Sequence, residues 1–199
     1  MGTIVVVENV SLDGVMQSPG RPDEDTRGGF ARGGWATAWL ARDPVAAQAS
    51  MSGQEVTAAL LFGRRTYLDL VGHWLGTADP NPFTEILRTM PKYVVSATLT
   101  EPLPYPASTL LRGDPAVSVA ALRERVDGQV VVLGSGELVR ALAAADLVDE
   151  YVLTTIPVVL GGGARLFGDA YAETEVVRSV TSPTGVVVAT YRVVRPARA

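Results

Sequence analysis

A series of short apolar runs, each of strand length and each closed by a turn or a helix-like stretch, constrains this chain most. Thr3 to Val7 reads TIVVV, Ala59 to Phe62 ALLF, Lys92 to Ala97 KYVVSA and Val130 to Leu133 VVVL. The first is β-branched and apolar at consecutive positions, the pattern of a strand buried on both faces. Between the runs, residues 44–58, 83–89, 117–126 and 136–145 read as helices, with Pro44 suited to a first turn. This alternation predicts a mostly parallel sheet with helices on both faces. Ser108 to Leu111 is a further short strand, and 150–156 another. After that the helices stop. Residues 174–181 and 186–194 read as strands joined by the hairpin-like turn Ser182-Pro183-Thr184-Gly185, so antiparallel strands complete the sheet. No linker of changed composition and no internal repeat divides the chain, which reads as one α/β domain over 1–199.

Composition narrows the chemistry. The 199 residues suffice for a substantial core, and 47% hydrophobic with 19% charged residues suits a compact fold. A formal charge of −4 gives no electrostatic reason to expect nucleic acid or an anionic membrane as partner. Without cysteine there is no disulfide, thiolate metal site or cysteine nucleophile. The single histidine, His73, rules out a cluster of histidine ligands. A Ser-His-Asp hydrolase would have to use it, yet no G-x-S-x-G elbow accompanies it. No basic-then-apolar leader opens the sequence, and no run of ~20 apolar residues exists to span a bilayer. The expectation is a cytoplasmic protein.

Three strand ends share a pattern. The strand at 59–62 runs into Gly63-Arg64-Arg65-Thr66, that at 92–95 into Ser96, and that at 130–133 into Gly134-Ser135-Gly136. In open α/β sheets, ligands bind outside the carboxyl ends of the strands. Glycines let the backbone approach a pyrophosphate, and free N–H groups at a helix start point toward it. Arg64 offers a planar fork for phosphate and Thr66 a hydroxyl. Arg65 or Ser96 would reach a ribose 2′-phosphate, which favours NADP over NAD. The strict G-x-G-x-x-G fingerprint is absent, since position 139 is Val, and a Gly-x-Gly between strand and helix can equally be a tight turn.

The order of these elements resembles the dihydrofolate reductase superfamily, most closely the reductase domain of bifunctional riboflavin-biosynthesis enzymes. Ser11-Leu12-Asp13-Gly14, Leu61 to Tyr67, Val94-Val95-Ser96, Val132 to Leu138, Asp146 to Tyr151 and the Gly-rich Pro157 to Phe167 carry the likeness, which covers nearly the whole chain. It implies a three-layer dihydrofolate reductase-like fold. It also implies an NADPH site in which Gly63, Arg64 and Thr66 meet phosphates and Ser96 the adenosine side, with Arg65 a further candidate cofactor-binding residue. Gly134, Ser135 and Gly136 would clasp the pyrophosphate, Glu137 and Leu138 are further candidate cofactor-binding residues, and Asn9 would lie near the nicotinamide amide.

The substrate side is less defined. Folate reductases carry an acid on the first helix, and here Gly34 to Asp43 places none at the matching position. The nearest acids are Asp23, Glu24 and Asp25 in the Gly-, Pro- and charge-rich segment 17–34, with Asp25 the candidate proton donor. Trp35 is a candidate to stack on a flat heterocycle, and Thr154 to line the pocket. The reaction implied is hydride transfer from NADPH to a pterin-like or ribosylaminopyrimidine-like molecule. A non-catalytic nucleotide-binding or regulatory module of the same fold is the main rival, and a hydrolase the lesser one. The apolar C-terminal strands need cover, which a homodimer or packing within the monomer would supply.

Overall fold

The structure, a computed structural model, describes residues 1–51 and 57–195. In chain order its elements are β1 (Thr3–Ser11), α1 (Trp35–Leu40), α2 (Pro44–Met51), β2 (Thr57–Gly63), α3 (Arg64–Thr66), α4 (Gly72–Gly76) and α5 (Pro82–Thr89). There follow β3 (Lys92–Val95), β4 (Ser108–Leu111), α6 (Pro115–Arg125), β5 (Gln129–Leu133), α7 (Gly136–Ala144), β6 (Glu150–Ile156), β7 (Glu173–Thr181) and β8 (Val187–Val194). The strands hydrogen-bond in the order β4-β3-β2-β5-β1-β6-β8-β7. This is an α/β fold, with parallel pairing among β2 to β5 and antiparallel pairing among β6, β8 and β7. Two compact units form, Met1–Val5 with Val56–Leu147 and Val6–Glu55 with Val148–Ala199.

In the first unit every pairing among β2 to β5 is parallel, with Phe62 opposite Val94 and Leu61 opposite Val132. The continuous apolar runs are buried as their pattern requires: Leu61, Phe62, Val94, Val130 and Val132 have no solvent exposure. Leu138, Val139 and Leu142 form the buried stripe of α7, and Val119 and Leu122 that of α6. Helix starts carry local signals. Asn81 and Thr84 make a capping box on α5, and the Asp114 carboxylate accepts the Val117 N–H at 3.0 Å. Lys92 is buried, and its ammonium donates to the carbonyls of Leu87 and Met90 at 2.6 and 2.9 Å. A cation there meets the last carbonyls of α5.

Two boundaries differ from those the sequence suggests. The helix expected over 44–58 is α2 only to Met51; Thr57 and Ala58 already lie in β2, and 52–56 fall outside the described residues. A β-branched Thr57 favours the strand. The segment from Gly72, ahead of the helix expected at 83–89, is helical to Gly76, continuing from α3 through a wide turn at Tyr67–Val71. Gly72 is a packing residue there: a Cβ would collide with the Tyr105 hydroxyl, which donates to the Leu68 carbonyl at 3.2 Å.

The second unit carries the antiparallel strands. Leu153 faces Ala189 across β6 and β8, and β7 runs along β8 with a bulge between Val176 and Arg178. The β7–β8 turn closes as expected, the Gly185 N–H donating to the Ser182 carbonyl at 3.0 Å. Val15, Phe30, Trp35, Ala36, Ile156, Leu160 and Val188 share one core. Segment 17–34 is held by its own polar groups. The Ser18 hydroxyl donates to the Arg21 carbonyl at 2.7 Å and accepts the Asp25 N–H at 3.1 Å. The Gln17 amide donates to the carbonyls of Asp25 and Arg27 and accepts the Ala164 N–H at 2.8 Å.

Candidate functional site

In the first unit, two strand-end turns are clasped together. The Gly63 N–H, at the end of β2, donates to the Ser135 hydroxyl at 2.8 Å, at the end of β5. Gly134 and Ser135 both take left-handed backbone, with φ of 57° and 68°. A Cβ on Gly134 would come 2.9 Å from Thr66 Cγ2, and one on Gly63 3.2 Å from Ser135 Oγ. Gly134 is therefore required for the two turns to approach, and a side chain at Gly63 would press on Ser135. Arg65 donates to the Glu137 carboxylate at 2.9 Å, an exposed pair that bridges α3 and α7. It contributes little to stability, but it engages the one acidic side chain in the first turn of α7.

That arrangement leaves two cationic features open. Arg64 is exposed, and its guanidinium makes no hydrogen bond or ion pair among the described residues. The first N–H groups of α7 have no intrahelical acceptor. Gly63, Arg64, Thr66, Gly134, Ser135, Gly136 and Leu138 thus gather at one end of this unit. Ser96, 7% exposed at the end of β3, is differently disposed: its hydroxyl accepts the N–H groups of Thr98 and Leu99 at 3.1 and 3.0 Å. His73 is exposed and stands edge-on to Trp74, which in turn stands edge-on to Phe83. The His73 ring takes part in an aromatic stack.

In the second unit, each expected substrate residue is paired or buried. Asp25 forms a two-point ion pair with Arg27, at 2.8 and 2.5 Å. The Arg27 hydrogen bonds hold its carboxyl below the usual aspartate range. Such a carboxylate is a poor proton donor at neutral pH. Trp35 is 7% exposed, sits in the core, and donates its indole N–H to the Gln17 carbonyl at 2.9 Å. Thr154 is buried on β6 opposite Val188. An open depression of about 550 Å³ is lined by Gln17, residues 27–32 and residues 162–164.

Two acids, one on β1 and one in the turn after it, carry no role in the sequence reading. Asp13 accepts the N–H groups of Leu160 and Gly161 at 3.0 and 2.8 Å and the Ser11 hydroxyl at 2.7 Å. Those bonds, the Leu160 N–H foremost, lower its carboxyl to about 2. Asp13 thereby ties the β1 turn to the Gly-rich segment. Glu8 is the opposite case. It is 6% exposed on β1, and one carboxyl oxygen accepts the Asn9 N–H at 3.0 Å while the other has no partner. Burial pushes its carboxyl up to about 8. The signal was present: a strand that continues past Val7 puts Glu8 in register with the buried Val6 and Val10.

Among the described residues no helix is long and apolar enough to cross a membrane, and no group of acids and histidine is arranged to hold a metal ion. A family model for the RibD C-terminal domain matches residues 3–188. The uncharacterised protein YwjB of Bacillus subtilis is 38% identical over 56 residues, a match spanning 28% of this chain and 32% of that protein. A putative riboflavin biosynthesis protein from Shewanella sp. PV-4 superposes with a TM-score of 0.64 at 24% identity, over 98% of this chain and 100% of the other. Dihydrofolate reductase from Enterococcus faecalis, complexed with NADP(H), gives 0.58 at 14% identity over 96% of each chain. The diaminohydroxyphosphoribosylaminopyrimidine deaminase/5-amino-6-(5-phosphoribosylamino)uracil reductase of Thermotoga maritima gives 0.60 at 17% identity, this chain spanning 57% of its length. At these identities the superpositions establish the fold, while the family match runs almost end to end: the chain belongs to the RibD C-terminal domain family.

Proposed function

We propose that this chain is an NADPH-dependent reductase acting on a small flat heterocycle of the pterin or ribosylaminopyrimidine class. The observation that carries the reading is the clasped pair of turns at Gly63 and Ser135, with Arg64 uncommitted beside the start of α7. Glycines forced by close approach, an open helix N-terminus and a free guanidinium together suit a pyrophosphate. Gly63, Arg64, Thr66, Gly134, Ser135 and Gly136 would hold the cofactor's phosphates. The Arg65–Glu137 pair keeps the Glu137 charge compensated beside them, and Ser96 would flank the adenosine. When bound, the cofactor supplies a hydride for an electrophilic C=N or C=O carbon. The protein's part is orientation and the exclusion of water. We propose further that the chain works in the cytoplasm and as a homodimer.

The test is a titration of the purified chain with NADPH, NADH and NADP⁺, followed by tryptophan fluorescence. Micromolar NADPH binding is expected, weakened about tenfold in Arg64→Ala, the scale of one lost charge-assisted hydrogen bond. Absence of nicotinamide binding would remove the reductase reading. One observation favours a second reading, a nucleotide-binding module without turnover: α1 carries no acid and Asp25 is held ionised by Arg27. NADPH binding with no oxidation against either heterocycle class would support it.

A further inference from the structure

The depression between residues 27–32 and 162–164 lies wholly within the second unit, and its wall carries charge of one sign. Arg27 and Arg32 line it, and no acidic residue does. Asp25 holds the Arg27 guanidinium by two bonds, at 2.8 and 2.5 Å. Arg32 is exposed, and its guanidinium makes no hydrogen bond or ion pair among the described residues. The N–H groups of Ala31, Arg32, Gly162 and Gly163 likewise meet no acceptor among them. The volume, about 550 Å³, is that of a small-molecule site.

The two walls are fixed to each other. Gln17 is 7% exposed and spends its side-chain amide on them. Its nitrogen donates to the Asp25 and Arg27 carbonyls at 3.0 and 2.9 Å, and its oxygen accepts the Ala164 N–H at 2.8 Å. The Met16 N–H adds a bond to the Ala164 carbonyl at 2.9 Å. A Cβ on Gly163 would come 2.8 Å from both Phe30 and Val15, so this turn packs its backbone directly on the Phe30 ring. Gly28 and Gly29, in left-handed backbone with φ of 67° and 73°, stand beside open space. Backbone bare of side chains lets a ligand come within hydrogen-bond reach of N–H groups. A wall already held in place lowers the cost of ordering it around a ligand.

We propose that this depression binds a small phosphomonoester, with the phosphate on the Arg32 guanidinium and the N–H groups of Gly162 and Gly163, and the body of the molecule over residues 28–31. An uncommitted guanidinium and unmatched N–H groups, with no carboxylate among them, suit an oxyanion. The donors come from two chain segments. A tetrahedral phosphate, with three outer oxygens, serves both at once better than a planar carboxylate with two. The inference goes beyond the reductase reading and does not depend on it, because no nicotinamide takes part and every residue invoked belongs to the second unit.

Amide NMR on the full chain, at fixed ionic strength and without nicotinamide, tests this with ribose 5-phosphate as the probe. Millimolar ribose 5-phosphate should shift the N–H signals of Ala31, Arg32, Gly162 and Gly163 and saturate, while ribose should shift none of them. Arg32→Ala should weaken the binding about tenfold, the scale of one lost charge-assisted hydrogen bond. The Trp35 indole signal, which reports the bond to Gln17, should stay in place and show that the variant is folded. Arg88→Ala, which removes an exposed arginine of α5, should leave the affinity unchanged within twofold. Shifts confined to Gly63 and to Gly134–Gly136 would put the phosphate on the turns of the first unit and overturn the proposal. Shifts that acetate reproduces at equal concentration would overturn it too, as attraction to charge alone, and so would the absence of any saturable shift.

Discussion

Glu8 and Asp13 lie five residues apart, and their surroundings push them in opposite directions. Asp13 is lowered to about 2 by the Leu160 N–H and its other bonds, and Asp25 is lowered by Arg27. The native state then holds these carboxylates ionised below the pH at which the unfolded chain protonates them. Their contribution is present above about pH 4 and is lost as the pH falls toward 2. Glu8 is raised from 4.5 to about 8. Between those values the native state keeps a proton that the unfolded chain has released, so stability falls as pH rises. The slope is at most about 1.4 kcal/mol per pH unit, giving a total of a few kcal/mol. Glu8→Gln removes this loss because an amide does not titrate. Urea unfolding of wild type and Glu8→Gln at pH 5, 6.5 and 8 should therefore show the variant gaining on the wild type at each step. Parallel pH profiles would mean that Glu8 ionises normally.

At the scale of elements, the clasp between the β2 and β5 turns has the sharpest requirement. Gly134→Ala forces a Cβ onto left-handed backbone and against Thr66. That should cost about 1–2 kcal/mol from the backbone alone, read as a lower midpoint in urea, and should weaken NADPH binding as the turns part. Ser135→Ala leaves the Gly63 N–H without its acceptor and should cost about 1 kcal/mol. The two glycine-ended turns were legible in the sequence, because glycine has few reasons to end two apolar strands, but the Gly63–Ser135 bond that clasps them joins residues 72 apart and leaves no local signal. The strands were legible too, since unbroken runs such as Val130 to Leu133 have little other use in a chain of this length. The end of β1 was hidden by Glu8 and Asn9, which break the apolar pattern while the backbone stays extended. Helix α4 was hidden by Gly72, which reads as a breaker until Tyr105, distant in sequence, is seen to occupy the space of its side chain. Both misreadings share a cause: the deciding contact is tertiary, and local propensity carries no trace of it. Trp35 follows the same rule in reverse, an aromatic suited to a ligand that is enclosed by Val15, Phe30 and their neighbours.

For the whole molecule, the proposed homodimer turns on β7, at one end of the strand order and, among the described residues, paired only with β8. Eight of its nine residues are exposed. Val176 and Val177 stand at the bulge, 61% and 47% exposed, and Phe167 and Tyr171 shortly before the strand are exposed as well. An open strand edge bearing adjacent valines invites pairing unless it is covered or charged. Glu175 and Arg178 flank the valines with opposite signs. A second copy running antiparallel would therefore bring unlike charges near one another and cover both valines, the self-complementarity that a two-fold interface needs. Equilibrium sedimentation at micromolar concentration should give twice the chain mass for the wild type. Val177→Glu should shift the protein to a single-chain species. The residue is exposed, so its replacement should change the unfolding midpoint little. A wild type that sediments as one chain throughout would remove the dimer and leave β7 as a charged, solvated edge. NADPH binding, which rests on the turns of the first unit, should survive Val177→Glu in either case.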